Sequence, residues 1–448
     1  MAIPRGLGRG PLGRMPLGGV YYALSSVVAA PSVDVFRRLM IKRRQLSDGL
    51  YEPDWQDVSY LVKNWGTVTR EIDAVRLNRF RNSGFDFTVR NDRGKFNHED
   101  NLNSFFNGYL TRYRSLVRVD AGYYLSDGIT EQPTQNTLGV FLMDQELPQS
   151  AHSNDLQVPC SSLQTIFDEV RAADIPGIQG VTLTASEILA KVRDHTDGAG
   201  SFVFRQIITS TSWSIETTSS YYVLTPDDVQ GSSWDMMTGL AEAETKVLLV
   251  TRSGGIEFRN RNARTTTAAW AFSGQGFPRP NIIRLVDYRE KWDKYYTFFR
   301  FKFAEPDTTT SYVTAGTSTV VSPTNTPWTY GARTYEVPEN RFVAATASPT
   351  DSAQAIVDRL HAEFAAEVPI EAEWVAKMVP SLEVLDRVTA SYHSYELAGL
   401  TLWDTFLWDG TTWATEGENF DWDDKGFKVI SLKTNLENLT VTVKAGEV

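Results

Sequence analysis

The sequence predicts an α+β protein, mainly β. A β region spans 33–145, an α+β segment is inserted over 146–280, and a second β region with one accessory amphipathic helix, about 350–366, spans 281–448. Three observations carry this reading. Runs of β-formers bounded by Asn, Asp and Gly turns fill the outer regions. Capped helices with i, i+3, i+4 apolar spacing gather in the middle. The 448 residues, 42% apolar and 12% aromatic, exclude wholesale disorder and suit two to four domains.

Residues 1–32 are expected to form an extended arm. Met1 to Gly19 holds six glycines and three prolines, favouring neither helix nor sheet. Val20 to Ala30, preceded by Arg5, Arg9 and Arg14, has the outline of a signal peptide, but two tyrosines and two serines interrupt its apolar run. A docked arm is the preferred reading. No apolar run approaches the roughly 20 residues of a membrane span.

In the first β region, Val58 to Lys63 and Phe85 to Arg90 read as strands, with Asn91-Asp-Arg-Gly94 as a turn. Arg112 to Val119 reads as a strand, Asp120-Ala-Gly122 as a turn, Tyr123 as the start of a further strand, and Thr137 to Leu142 as the last. Together they suggest one small antiparallel barrel or curled sheet.

In the middle segment, Ser161 or Ser162 caps a helix bearing Leu163, Ile166, Phe167 and Val170. Thr184 and Glu187 form a capping box ahead of Ile188, Leu189 and Val192. Ser201 to Ile208 reads as a strand. Ser232 or Ser233 caps a third helix carrying Trp234, Met237 and Leu240, followed by strands Lys246 to Thr251 and Ile256 to Arg259 about the turn Ser253-Gly-Gly255. Tyr295 to Phe303 is a long β-former run, and Thr308 to Thr329 is a Thr/Ser-rich connection or extended hairpin. Asp351 can cap a helix with Ile356, Val357, Leu360 and Phe364. Phe427 to Lys433 and Leu439 to Lys444 are the closing strands.

Acids outnumber bases 55 to 44, a net −11, which argues against a general nucleic-acid coat. The imbalance is uneven. Residues 1–44 hold eight basic side chains (Arg5, Arg9, Arg14, Arg37, Arg38, Lys42, Arg43 and Arg44) against Asp34, so +7 sits on a body of −18. A basic arm on an acidic body suggests a subunit contact, with nucleic acid as a second possibility and a solvated tail as the plain alternative.

No motif of enzyme chemistry stands complete in the sequence. Gly8 to Gly13 fits G-x-G-x-x-G, but no strand precedes it and Pro11 interrupts it. Asp421 to Gly426 begins like a calcium loop, yet Lys425 and Leu432 stand where ligands are needed, so an acidic hairpin turn is expected. Five histidines (His98, His152, His195, His361, His393) are scattered, and Cys160 reads as a small buried residue rather than a nucleophile. The single cysteine rules out an intrachain disulfide framework. Adjacent acids such as Asp227/Asp228 point apart, and Asp228 is better placed favouring a helix N-terminus. No cofactor or metal is expected. Four tryptophans (Trp403, Trp408, Trp413, Trp422) lie within twenty residues, an aromatic interface or a glycan-stacking patch.

Several stretches, taken in order, resemble the tail-tip or baseplate hub proteins of tailed bacteriophages, the minor tail proteins. Asn64-Trp-Gly-Thr-Val-Thr-Arg70, Ala74 to Phe80 and Phe85 to Asn97 are similar to the family's strand–turn pattern around a D-G-x-F-N/S corner, although Arg93 separates Asp92 from Gly94. Leu116 to Val119 with Gly139 to Leu142 resembles its barrel closure. Ser233 to Glu244 followed by Val247 to Phe258 resembles its helix–hairpin unit, and Phe427 to Leu432 with Leu439 to Val443 its last strands. The likeness covers 33–448. The arm and the stretch 308–334 are unmatched.

The resemblance implies two antiparallel β-barrel domains, 33–145 and 281–448, related by internal duplication and flanking the α+β domain at 146–280. It implies a homotrimer whose six barrels form a pseudo-six-fold ring. Such a ring joins tail-tube proteins above to tip or fibre proteins below, lets DNA pass, and is non-enzymatic. The expected location is the virion after assembly in the host cytoplasm, with no stable membrane insertion. The eight basic residues named above would make inter-subunit contacts. The alternative is a carbohydrate or receptor-binding tail module using the C-terminal tryptophans.

Overall fold

A computed structural model describes residues 35–45, 47, 49–72, 80–96, 102, 104–110, 115–124, 137–143, 155–197, 200–201, 203–260, 267–273, 281–291, 296–304, 310–316, 333–346, 348–364, 370–393 and 421–447. Among them strands outnumber α-helices 24 to 5, so the fold is mainly β, as the sequence predicts.

The first β region contains β1 (Val35–Lys42), β2 (Arg44–Gln45), β3 (Gln56–Asp57), β4 (Val62–Asn64), β5 (Thr67–Ile72), β6 (Phe80–Arg90), β7 (Tyr109–Leu110), β8 (Leu116–Tyr123), β9 (Thr137–Met143) and β10 (Asp155–Ser162). They pair in the order β5-β6-β10-β9-β8-β1-β3, with β4 also on β6 and β2 on β7. Residues 56–64 pair with β1 at their start (Asp57 opposite Met40) and with β6 at their end (Val62 opposite Val89). That segment therefore links β1, near one end of this order, to β6, near the other. Alternation places Leu39, Ile41, Val117, Val119, Phe85, Phe87 and Phe141 in one buried core.

The Asp120-Ala-Gly122 turn is not formed. These residues continue β8, opposite Arg38, Arg37 and Phe36 of β1. Local turn preference yields because Asp120 is held by the Arg118 guanidinium at 2.9 Å and the Thr137 hydroxyl at 2.8 Å, which satisfy its carboxylate within the sheet.

The middle segment holds α1 (Gln164–Glu169), β11 (Thr182–Thr184), α2 (Ala185–Arg193), β12 (Trp213–Ile215), β13 (Tyr221–Val223), α3 (Ser233–Ala243), β14 (Lys246–Val250) and β15 (Ile256–Asn260). Two predicted caps are present. The Thr184–Glu187 capping box starts α2, and the Ser232 hydroxyl accepts from the Asp235 N–H at 3.1 Å to start α3. The expected strand over 201–208 is instead a set of turns. Ile207 and Ile208 N–H groups both donate to the Phe204 carbonyl, which places the Phe204 ring 4.4 Å from Phe167 in the core. Burying that ring outweighs a β-former sequence with no strand partner. Asp228 does not serve a helix N-terminus; its carboxylate accepts the Thr225 N–H and hydroxyl, both at 2.7 Å, and closes a turn.

The last region holds β16 (Ala268–Ser273), β17 (Ile282–Glu290), β18 (Phe298–Ala304), β19 (Thr310–Gly316), β20 (Thr334–Val337), α4 (Arg341–Ala344), α5 (Pro349–Phe364), β21 (Ile370–Lys377), β22 (Arg387–His393), β23 (Asp421–Asn435) and β24 (Thr440–Glu447). A second curled sheet runs β16-β22-β23-β24-β21-β17. Its two outer strands meet at Asn281, whose N–H donates to the Ser273 carbonyl at 2.8 Å and whose carbonyl accepts from the Lys377 N–H at 2.9 Å. Trp374, Phe272 and Phe427 fill its interior edge to face. Asp421 to Gly426 is the start of β23 paired with β22, not a hairpin turn.

The sheet β19-β18-β20 and helix α5 pack elsewhere. Phe299, Phe301, Ile356 and Leu360 share a core with Phe167, Leu189, Leu240 and Phe258 of the middle segment. Helix α5 begins at Pro349, two residues before the predicted cap, and Asp351 lies in its first turn.

Candidate subunit interface

Strand β1, the residue after it and the start of β2 carry the described part of the basic cluster. Arg5, Arg9 and Arg14 lie outside the described residues. The Arg37 guanidinium donates to the Leu436 carbonyl at 2.8 Å, lies 3.5 Å from Glu437, and sits 5.6 Å from the Trp65 ring. Arg38 lies over Phe36 and Lys42 over Trp55, both half-buried on the outer side of the curl. Arg43 is committed within the chain. Its guanidinium pairs in a fork with Glu52 (3.0 and 2.9 Å), donates to the Phe105 carbonyl at 2.6 Å, and is 3.8 Å from the Tyr109 ring centre. Arg44 donates to the Gly49 carbonyl at 2.5 Å. Of the eight basic residues, Arg38 and Lys42 are described ones whose side chains rest on aromatic rings at the outer side of β1.

Trp403, Trp408 and Trp413 also lie outside the described residues. The Trp422 backbone pairs with Tyr392 in the β22–β23 ladder. Cys160 is buried in β10, as a small core residue. Among the described residues no three His, Cys, Asp or Glu side chains gather as a metal site, and no helix is long and apolar enough to cross a membrane.

The seam between the two curled sheets leaves no signature in the sequence. Strand β5 pairs antiparallel with β23, Arg70 opposite Leu432 and Thr67 opposite Asn435, so both sheets form one continuous surface. Four further contacts fix the junction. The Leu436 N–H donates to the Gly66 carbonyl at 3.1 Å, and Arg37 reaches the Leu436 carbonyl. The Tyr123 hydroxyl donates to the Met378 carbonyl at 2.6 Å, and burial raises its pKa so that it stays a donor. Arg70 and Glu383 form a buried ion pair. The middle segment joins the same point: the Arg252 N–H donates to Glu383 Oε2 at 3.1 Å and its guanidinium to the Pro380 carbonyl at 2.5 Å. None of these pairs has a local sequence signal, because each unites positions far apart in the chain.

The outward surface also carries apolar side chains. Ile283 is 56% exposed on β17, the end strand of the sheet order, with Val286 exposed beside it. Exposed apolar side chains at a sheet edge are features that assembly contacts use.

No protein-family model and no curated protein matches the chain. Solved structures do. A tail protein from Neisseria meningitidis MC58 superposes with a TM-score of 0.50 at 10% identity, over 92% of this chain and 96% of the other. A 43 kDa tail protein of prophage MuSo2 from Shewanella oneidensis gives 0.49 at 12% identity over 92% and 98%. The prophage tail protein gp18 from Listeria monocytogenes EGD-e gives 0.49 at 10% identity over 91% and 94%. The similarity to tail proteins expected from the sequence therefore holds at the level of architecture: this chain has the fold of the Neisseria tail protein over nearly its whole length.

Proposed function

We propose that the chain is the structural hub of a phage tail tip or baseplate, a non-enzymatic homotrimer. In this reading each copy supplies two curled sheets, and three copies close a pseudo-six-fold ring. The ring joins the tail tube to the host-facing tip and lets DNA pass. One observation carries the proposal: β5 and β23 hold an eight-stranded and a six-stranded curled sheet side by side in a single continuous 14-stranded sheet. A rigid tandem of like modules is what a three-fold assembly needs in order to meet a six-fold partner.

The electrostatics suit the same role. An acidic body repels the DNA backbone from a lumen, while the basic N-terminal residues engage a neighbouring acidic ring. Arg5, Arg9, Arg14, Arg38 and Lys42 are the proposed inter-subunit contacts, and Trp403, Trp408, Trp413 and Trp422 a proposed aromatic interface. The partners are tube rings above and tip or fibre proteins below, in a virion assembled in the host cytoplasm.

The test is the mass and symmetry of the assembled chain. Light scattering is expected to give about 150 kDa, three times the 50.3 kDa chain, and electron microscopy a three-fold ring. A chain that stays at 50.3 kDa alone and occurs once per purified tail tip would overturn the proposal.

A further inference from the structure

An open groove of 450 Å³ lies in the α+β layer, between β13, the C-terminal end of α3 and the first turns of α5. Its volume falls in the range of small-ligand sites, about 300–1,000 Å³. Its lining differs from the apolar pockets typical of that range. Six Ser and Thr residues line it, among them Ser220, Thr245, Ser348 and Ser352, together with Glu244 and Asp351. No Lys, Arg or His lines it. An anionic ligand would meet two carboxylates and no counter-charge.

One aromatic ring stands at this groove. Strand alternation on β13 buries Tyr222 and turns Tyr221 outward, 54% exposed. The buried Tyr222 hydroxyl donates to Glu244 Oε1 at 2.8 Å and fixes that carboxylate in the wall. Burial first, and then the Glu244 charge, raise the Tyr222 pKa, so this contact persists at any ordinary pH.

Thr245 adds a second kind of observation. It follows the C-cap Glu244 of α3 with φ +55, the left-handed position that helices usually give to glycine or asparagine. A β-branched side chain there is strained. The fold tolerates that strain at a residue whose side chain lines the groove.

We propose that this groove binds a short neutral saccharide. The Tyr221 ring stacks on the sugar's C–H face, Glu244 and Asp351 accept from its hydroxyls, and Thr245, Ser348 and Ser352 exchange hydrogen bonds with the remainder. The site does not depend on the proposed ring, since it lies within one copy and away from the β5–β23 seam.

The experiment is calorimetric titration of the full chain with tri-N-acetylchitotriose, with maltotriose and, separately, with calcium chloride. Saturable binding of at least one trisaccharide is expected. Tyr221→Ala should weaken it by roughly tenfold, the scale of one lost stacking contact. Thr245→Gly should weaken it too while raising Tm, because the strained position is relieved. The assembly mass should stay the same in both variants. The proposal is overturned if neither sugar binds up to about 10 mM, or if only calcium titrates. It is equally overturned if both variants bind sugar as the parent does, which would direct attention to the C-terminal tryptophans.

Discussion

Arg70 Nε lies 2.8 Å from Glu383 Oε1, and the two side chains are only 5% and 3% exposed. The pair unites β5 of the first curled sheet with the loop that leads into β22 of the second. Both charges have further partners: Arg70 Nη2 donates to the Val250 carbonyl at 2.6 Å, and Glu383 Oε1 accepts the Val384 N–H at 3.1 Å. The Arg252 N–H holds the other carboxylate oxygen. All three parts of the chain therefore meet at one buried carboxylate.

Removing that carboxylate leaves a buried guanidinium uncompensated. Glu383→Ala is expected to destabilise the chain by about 3–5 kcal/mol, read as a fall in the denaturation midpoint. Arg70→Met combined with Glu383→Leu should recover part of the loss, because neither charge is then stranded. Equal losses in the single and double variants would show that the backbone bonds to Glu383, rather than the ion pair, hold the junction.

A second prediction concerns acid. His195 is buried against Phe204, and burial lowers its pKa, although the Asp174 and Asp197 charges oppose the shift. In the unfolded chain the imidazole takes up a proton near pH 6.5, whereas in the folded chain it does so only at lower pH. Between those values the unfolded state binds more protons, so stability falls as pH drops through that window. Thermal melts should show Tm declining from about pH 6.5 downwards, and His195→Phe should flatten that part of the profile. An unchanged slope in the variant would assign the decline to the carboxylates instead.

Backbone geometry at the seam gives a third. Gly66 has φ +59, and a Cβ there would lie 1.8 Å from the Asp86 carbonyl oxygen. Its own carbonyl accepts the Leu436 N–H. Gly66→Ala therefore combines a left-handed alanine with a backbone clash and should cost on the order of 3 kcal/mol. Gly180, with φ +64 and open space around it, is the control. Gly180→Ala meets only the conformational penalty, about 1–2 kcal/mol. Similar denaturation midpoints for the two variants would mean that the seam shifts to make room.

Much of this architecture is legible in the sequence where a local rule governs it. The Thr184–Glu187 box, the Ser232 cap and the Gly254 turn have fixed residue spacings, and each forms as its spacing requires. Misreadings arise where a distant partner decides. Residues 120–122 look like a turn until β1 supplies a strand to pair with, and 201–208 looks like a strand until Phe204 finds Phe167. The Arg70–Glu383 pair was invisible because charge patterning along the chain says nothing about which charges become buried together. The groove at Tyr221 was equally hidden, since its walls come from three separate elements.

The basic cluster divides by what each guanidinium or ammonium touches. Arg43 is held by Glu52, by the Phe105 carbonyl and by two aromatic rings, so Arg43→Ala removes a part-buried fork, strands the Glu52 carboxylate and should destabilise the chain by about 2–4 kcal/mol. Arg38 and Lys42 rest on aromatic faces at the outer surface, where single contacts are worth about 0.5–1 kcal/mol. Reversing Lys42 alone, Lys42→Glu, gives up only its contact on the Trp55 ring and should leave Tm nearly unchanged. The same reversal should weaken joining to the neighbouring tail ring if Lys42 faces an acidic partner, and raising salt should weaken the parent contact in the same way. Co-assembly measured at low and high salt separates the cases. A charge-reversed chain that melts normally and joins the tail as the parent does would remove Lys42 from the interface and leave Arg5, Arg9 and Arg14 as the basic contacts to test, by deletion of residues 1–19.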